Sequence, residues 1–172
     1  MKGQFNAKIA ARFTPPKTWV LIEDLSFETD LLGRDEIALL RETSANAVCH
    51  GIRDLGIVTC TSGMKTDLAS VPRIVWSVIS PWDVARAAVI HDHLYASLRK
   101  YYHSDVFNKS VWRKARKLSD NVFLWGMQSA NPSVSSFKIW SAYLAVRLFG
   151  RWPASSVPEE PTSEMWTTWK NK

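Results

Sequence analysis

Residues 87–95, AAVIHDHLY, constrain this chain more than any other stretch, because they set a His and an Asp directly behind an apolar run. This is the only His-Asp pair in the sequence. Buried polar groups must find partners, since an unsatisfied one costs roughly 1–3 kcal/mol. At about 3.6 residues per turn, His91 and Tyr95 share one helix face and Asp92 sits about 100° round the axis. A second acid, Asp105, stands in HSDVFNKSVW, where another helix is expected to begin. Two antiparallel helices joined by a short link at Arg99–His103 predict that His91 lies within hydrogen-bond reach of Asp105. That gives a base, an acid to orient it, and in Asp92 an acid to hold a cation. The same residues also suffice for a buried cluster that only locks two helices together.

The surrounding chain of 172 residues is long enough for one domain with its own core. Residues 4–13 alternate loosely and end at Pro15-Pro16, which no central strand tolerates. TWVLIE (18–23) and the alternating LSFET read as strands, and 47–60 holds short apolar pieces broken by Gly51 and Gly56. EIALLRE (36–42) is too short for periodicity to choose between helix and strand. In GMKTDLASVP, Thr66 or Asp67 caps a short turn that also contains Ser70, and Pro72 opens a helix with its fixed φ. The Asp67 carboxylate is expected to face the His91 helix. Pro81 stops the helix PRIVWSVIS, and Asp83 begins the next, over about 83–98. A long amphipathic helix follows over about 105–128, with Phe107, Val111, Leu118, Val122 and Trp125 at helical spacing. A last apolar helix, 133–149, closes at Gly150 in a C′ position.

The expected fold is therefore α+β: a small N-terminal antiparallel β-sheet, then about four helices forming a helical layer. Residues 1–150 make one domain, with 1–62 β-rich and 63–150 helical. Residues 151–172 are rich in Pro, Ser, Thr and Glu and are expected to form an extended tail. Its Trp152, Trp166 and Trp169 are the expected anchors that strap it to a surface.

Composition narrows the partners. Cys49 and Cys60 fit neither a disulfide scaffold nor a metal-binding CxxC, so reduced thiols are expected. The formal charge is +6, concentrated in a basic stripe over 99–117 opposed only by Asp105. A solvated helix face is its plainer reading, and nucleic acid is not the expected partner. Nine tryptophans point to a chain that docks on something, a membrane surface or other protein copies. Neither a secretory signal nor a run of apolar residues long enough to span a bilayer is visible. His93 points about 200° from His91, which argues against a zinc site of His91, His93 and His103.

GMKTDLASVPRIVW, AAVIHDHLY, SDVFNKSVW and YLAVRLFG, in that order, resemble the bacteriophage and prophage family catalogued as domain of unknown function 1353. The resemblance spans roughly residues 15–150, with TDLASVP and HDxLY as its signature pieces; Ser104 replaces the Ala usual before the second acid. It implies a phage-encoded protein from virion or lysis gene neighbourhoods, located in the virion or the host cytoplasm. Its partners would be other virion proteins or copies of itself.

HDHLY followed by SDVF is also similar, over about 20 residues, to the HDxxY…D…F pattern of secreted A2-class phospholipases. That likeness implies His91 as base, Asp92 as a calcium ligand, Asp105 as orienter of the His and Tyr95 as its support. Two departures stand beside it: no Gly-rich calcium loop precedes His91, and the chain is not disulfide-braced. Asp67 is the remaining carboxylate that could join Asp92 on calcium. Two functions follow as expectations: a metal-assisted ester hydrolase acting at an envelope, or a non-catalytic component of a phage particle with a buried His/Asp hub.

Overall fold

The computed structural model describes residues 3–15, 18–50, 55–66, 81–130 and 133–158, with the backbone alone for 81–83. Strands β1 (Gln4–Phe5), β4 (Leu25–Thr29), β6 (Leu55–Cys60) and β5 (Ala47–His50) form an antiparallel sheet in that spatial order. The alternation in LSFET decides its inner face: Leu25, Phe27 and Thr29 are buried. Register pairs Leu25 with Cys60, Phe27 with Val58 and Thr29 with Gly56, so the inward positions of β4 and β6 form one layer. Gly56 is required by close approach, since a Cβ there would collide with Leu32. A second antiparallel sheet holds β2 (Ala11–Thr14), β3 (Thr18–Leu21) and β7 (Lys65–Thr66).

The ambiguous segment 36–42 is helical, within α1 (Arg34–Glu42). Its ends explain the choice. The Gly33 N–H donates to Glu36 Oε2 at 3.1 Å, and Ser44 turns left-handed at φ 62° as the Ala45 N–H closes on the Leu40 carbonyl. The helical layer then comprises α2 (Pro81–Tyr102), α3 (Lys109–Gln128), α4 (Ser136–Phe149) and the short α5 (Arg151–Ser155). The α+β class is as expected, with the strands before the helical layer and α1 inserted between β4 and β5.

Several boundaries are corrected. Helix α2 starts at Pro81 and not at Asp83, with proline in the first turn where its missing N–H costs nothing. It runs on to Tyr102, so the link to α3 is 103–108 and not 99–103. Helix α3 begins after Asn108, whose side chain accepts from the Ser110 and Val111 N–H groups at 2.9 and 3.3 Å. The segment HSDVF is therefore link and not first turn.

Gly150 is right-handed, at φ −67°, and leads straight into α5. The boundary at 150 is thus also corrected. Pro153 sits in the first turn of α5, where it is tolerated, and Ala154 is buried with Tyr95, Leu98, Tyr101 and Trp112.

The core lies between sheet and helices. Leu21, Leu25, Phe27 and Val58 pack against Val89, Ile90 and Leu94 of α2 and Leu118 and Val122 of α3. A second cluster joins Ala87 and Ala88 of α2 to Phe123 and Met127 of α3 and Ile139 and Val146 of α4. Neither cysteine is in a disulfide. Cys49 pairs with Gly56 in the ladder, and Cys60 is buried, which raises its thiol well above the usual range.

His93 leaves α2 on the side away from the helical layer, and its Nε2 accepts the Asn46 N–H at 3.1 Å. Burial, assisted by Lys100, lowers it to about 4 from 6.5. The unfolded ring takes a proton at a pH where the folded ring resists it. Stability is therefore intact above about 6.5 and falls as pH drops towards about 4, by about 2–3 kcal/mol. His93→Gln keeps an acceptor without the titration. Urea unfolding at pH 7 and about 4.5 should show a smaller acid loss for this variant; an unchanged loss would place the acid sensitivity elsewhere.

Candidate functional site

Helices α2 and α3 form an antiparallel hairpin whose register fixes the site. Next to the link Tyr102 meets Trp112, ring centroids 5.5 Å apart. His91 lies eleven residues before the end of α2 and Asp120 eleven residues after the start of α3. They meet at that level, with His91 Nε2 and Asp120 Oδ1 at 3.1 Å. The Tyr95 hydroxyl, one turn further along α2, donates to the same Oδ1 at 2.7 Å. Arg147 of α4 donates from Nη1 to Asp120 Oδ2 at 2.5 Å. Arg116, one turn before Asp120, brings its Nη1 to 3.8 Å from Oδ2.

This hub is buried. His91 is 3% exposed and Asp120 0%. The His91 ring lies between those of Tyr95 and Phe123, at 4.0 and 4.9 Å. Burial by itself would raise the Asp120 carboxyl, but the hydrogen bond and charge of His91 and the bonds from Tyr95 and Arg147 outweigh it and hold it below the usual range. Burial first, and Asp120 second, push the Tyr95 phenol up, so it stays a donor.

With an ionised carboxylate on Nε2, a neutral His91 carries its proton there and presents the Nδ1 lone pair. No hydrogen bond engages Nδ1 among the described residues. Gly150 belongs to the same construction: a Cβ there would collide with the Tyr95 hydroxyl.

The expected pairing of His91 with Asp105 is therefore corrected. Asp105 is exposed in the link, and at 1.5 Å per residue eleven residues put His91 about 16 Å from the end of α2. Of the expected site residues the structure unites His91 and Tyr95, with Asp120 as their acid. The 100° offset sends Asp92 the other way, where its Oδ2 accepts from Thr66 Oγ1 at 2.5 Å. Asp67, Ser70, Pro72, Trp166 and Trp169 lie outside the described residues. Trp152 is exposed on α5, part of a helix and not of an extended strap. His103 approaches the Ser155 and Ser156 carbonyls at 3.2 Å and His93 faces Asn46, so neither joins His91.

Among the described residues, no three His, Cys, Asp or Glu side chains converge on a metal position. Calcium takes about six to eight oxygens, and Asp92 is the only one of the expected calcium carboxylates in the described residues.

Asp120, Arg147 and Arg116 were not among the expected residues. A signal was present for Asp120. It is the only acid in KSVWRKARKLSDNVFLWGMQ and falls among Leu118, Val122 and Phe123 on the apolar face, where a charge needs partners. Beside the hub opens a cavity of about 300 Å³ lined by Trp112, Arg113, Arg116, Lys117, Arg147 and Arg151. Asp120 thus lies behind a wall of cations.

A family model described as protein of unknown function (DUF1353) matches residues 43–146, a span that holds α2, α3 and with them His91, Tyr95 and Asp120. No curated protein and no solved structure matches the chain.

Proposed function

The chain belongs to the DUF1353 family, and from that premise we propose that it is a hydrolase cleaving a carboxylic ester of an envelope lipid, with His91 as base. The observation that carries this reading is the His91–Asp120 pair, an imidazole whose Nε2 is committed to a carboxylate that Tyr95 and Arg147 keep ionised. Such a pair fixes the tautomer and steadies the imidazolium.

His91 Nδ1 takes a proton from water as the water oxygen bonds to the carbonyl carbon. The tetrahedral species then collapses, the bond to the alkoxide breaks, and the alkoxide leaves with the proton from Nδ1. The products are a carboxylic acid and an alcohol. No step runs through a metal ion. The likeness to A2-class phospholipases keeps only its HDHLY half, since Asp105 is exposed in the link; the orienting role falls to Asp120 on the geometry alone. Origin in a bacteriophage or prophage, with a role in the virion or in lysis, is part of the same proposal and rests on the TDLASVP and HDxLY motifs.

A second reading makes the protein a non-catalytic virion component that contacts other virion proteins or its own copies. One observation favours it: His91 and Asp120 are as buried as a purely structural hub requires. Incubating the purified chain with phospholipid vesicles and with simple soluble esters, with calcium and with chelator, separates the two. The hydrolase releases carboxylic acid. A folded protein inert on all of them is the structural component.

A further inference from the structure

Helix α4 is apolar on two sides. Ile139, Ala142, Ala145 and Val146 face inward, packed with α2 and α3. Phe137, Trp140, Leu144 and Leu148 recur at steps of three and four on the other side, and Trp152 of α5 extends the line. At 100° per residue the four α4 side chains fall within about 80° of arc. All five are exposed, Phe137 at 73%, Leu148 at 72% and Trp152 at 83%. A helix apolar all round normally lies inside a protein or in lipid. With 14 residues α4 is about 21 Å long, short of a bilayer core, and no helix among the described residues is long and apolar enough to cross a membrane.

Charge says what covers this face. Arg147 and Arg151 border the apolar line and also line the cavity that Arg113, Arg116 and Lys117 share. The only acid on α3 is Asp120, already engaged. Two buried donors of the cavity-lining residues, Trp112 Nε1 and Arg116 Nη1, make no hydrogen bond among the described residues. An oxyanion would give both donors the hydrogen bond they lack, Arg116 Nη1 having only its 3.8 Å ion pair with Asp120.

We infer that the outer face of α4 and α5, with the cationic cavity beside it, is a docking surface for an anionic lipid bilayer. The apolar line enters the boundary between headgroups and acyl chains, and the cavity receives a lipid phosphate. A second copy seated on the same face would set these cations against their own equivalents across a two-fold contact, which like-charge repulsion opposes. The inference deepens the hydrolase reading by naming its lipid as anionic, and rests on that reading only for the substrate. Binding is measured without turnover, so each can fail alone.

The test is co-sedimentation of the full chain with phosphatidylglycerol or phosphatidylcholine vesicles, at low salt and at about 0.5 M salt. Phosphatidylglycerol should bind about tenfold better, with the preference shrinking in salt. Leu144→Glu/Leu148→Glu should lose about tenfold or more in binding, and Arg113→Glu/Lys117→Glu should lose the anionic preference. Both pairs should keep the circular dichroism spectrum; if the leucine pair misfolds, Trp152→Glu alone replaces it.

Equal binding to both lipids overturns the inference. So does vesicle binding untouched by the leucine pair but abolished by soluble glycerol phosphate, which would make the cavity a free-phosphate site. A wild-type dimer that the leucine pair turns into monomer, with no vesicle binding, would make the face a contact between copies.

Discussion

Asp120→Ala should cost the protein about 3–5 kcal/mol, the range for breaking a buried ion pair by removing one partner. The carboxylate is fully buried and accepts from His91, Tyr95 and Arg147, with Arg116 close by. Truncation strands these donors together and leaves at least one arginine charge facing a void. Asp120→Asn should cost less, because an amide oxygen still accepts from Tyr95 while the charge is lost. Since the folded carboxyl is held below its ordinary 3.8, its contribution is present above that pH and lost as pH falls through the folded value. Urea unfolding gives the loss as a lowered midpoint with an unchanged slope. A cost under about 1 kcal/mol for Asp120→Ala would mean that the network does not hold the helices together.

The residues of α2 were legible and their acid was not, for a reason of register. His91 and Tyr95 could be placed on one face from spacing alone, because helical geometry is local. Which acid reaches them depends on where the hairpin turns, and that was set by Asn108 capping α3. Reading Asp105 as the helix start shortened the link and drew the nearest acid onto His91. Asp120 announced itself differently, as a lone charge on an apolar face, and Arg147 had no local signal because it arrives from a separate helix.

The fold class was legible because LSFET alternates and the helical segments carry helical spacing. Helix α5 was not, since Pro and Ser suggested an extended chain; what orders it is Ala154 against Tyr95 and Trp112, a tertiary contact invisible in composition.

His91→Gln should lower ester turnover by roughly 10²–10⁴-fold, the usual contribution of a positioned general base. Glutamine is the informative replacement. Its side-chain amide N–H can still donate to Asp120, so the hub keeps its main contact while the Nδ1 lone pair is gone. Stability should therefore change far less than in Asp120→Ala. If His91 is only structural, the substitution changes stability and there is no turnover to lose.

Fatty-acid release from phosphatidylglycerol vesicles, by wild type and by His91→Gln at equal folded fraction, tests the central claim most directly. The hydrolase reading predicts steady release by the wild type and its near loss in a variant that still unfolds cooperatively and still binds the vesicles. A folded, vesicle-bound wild type that releases nothing, or a His91→Gln variant as active as wild type, would contradict it.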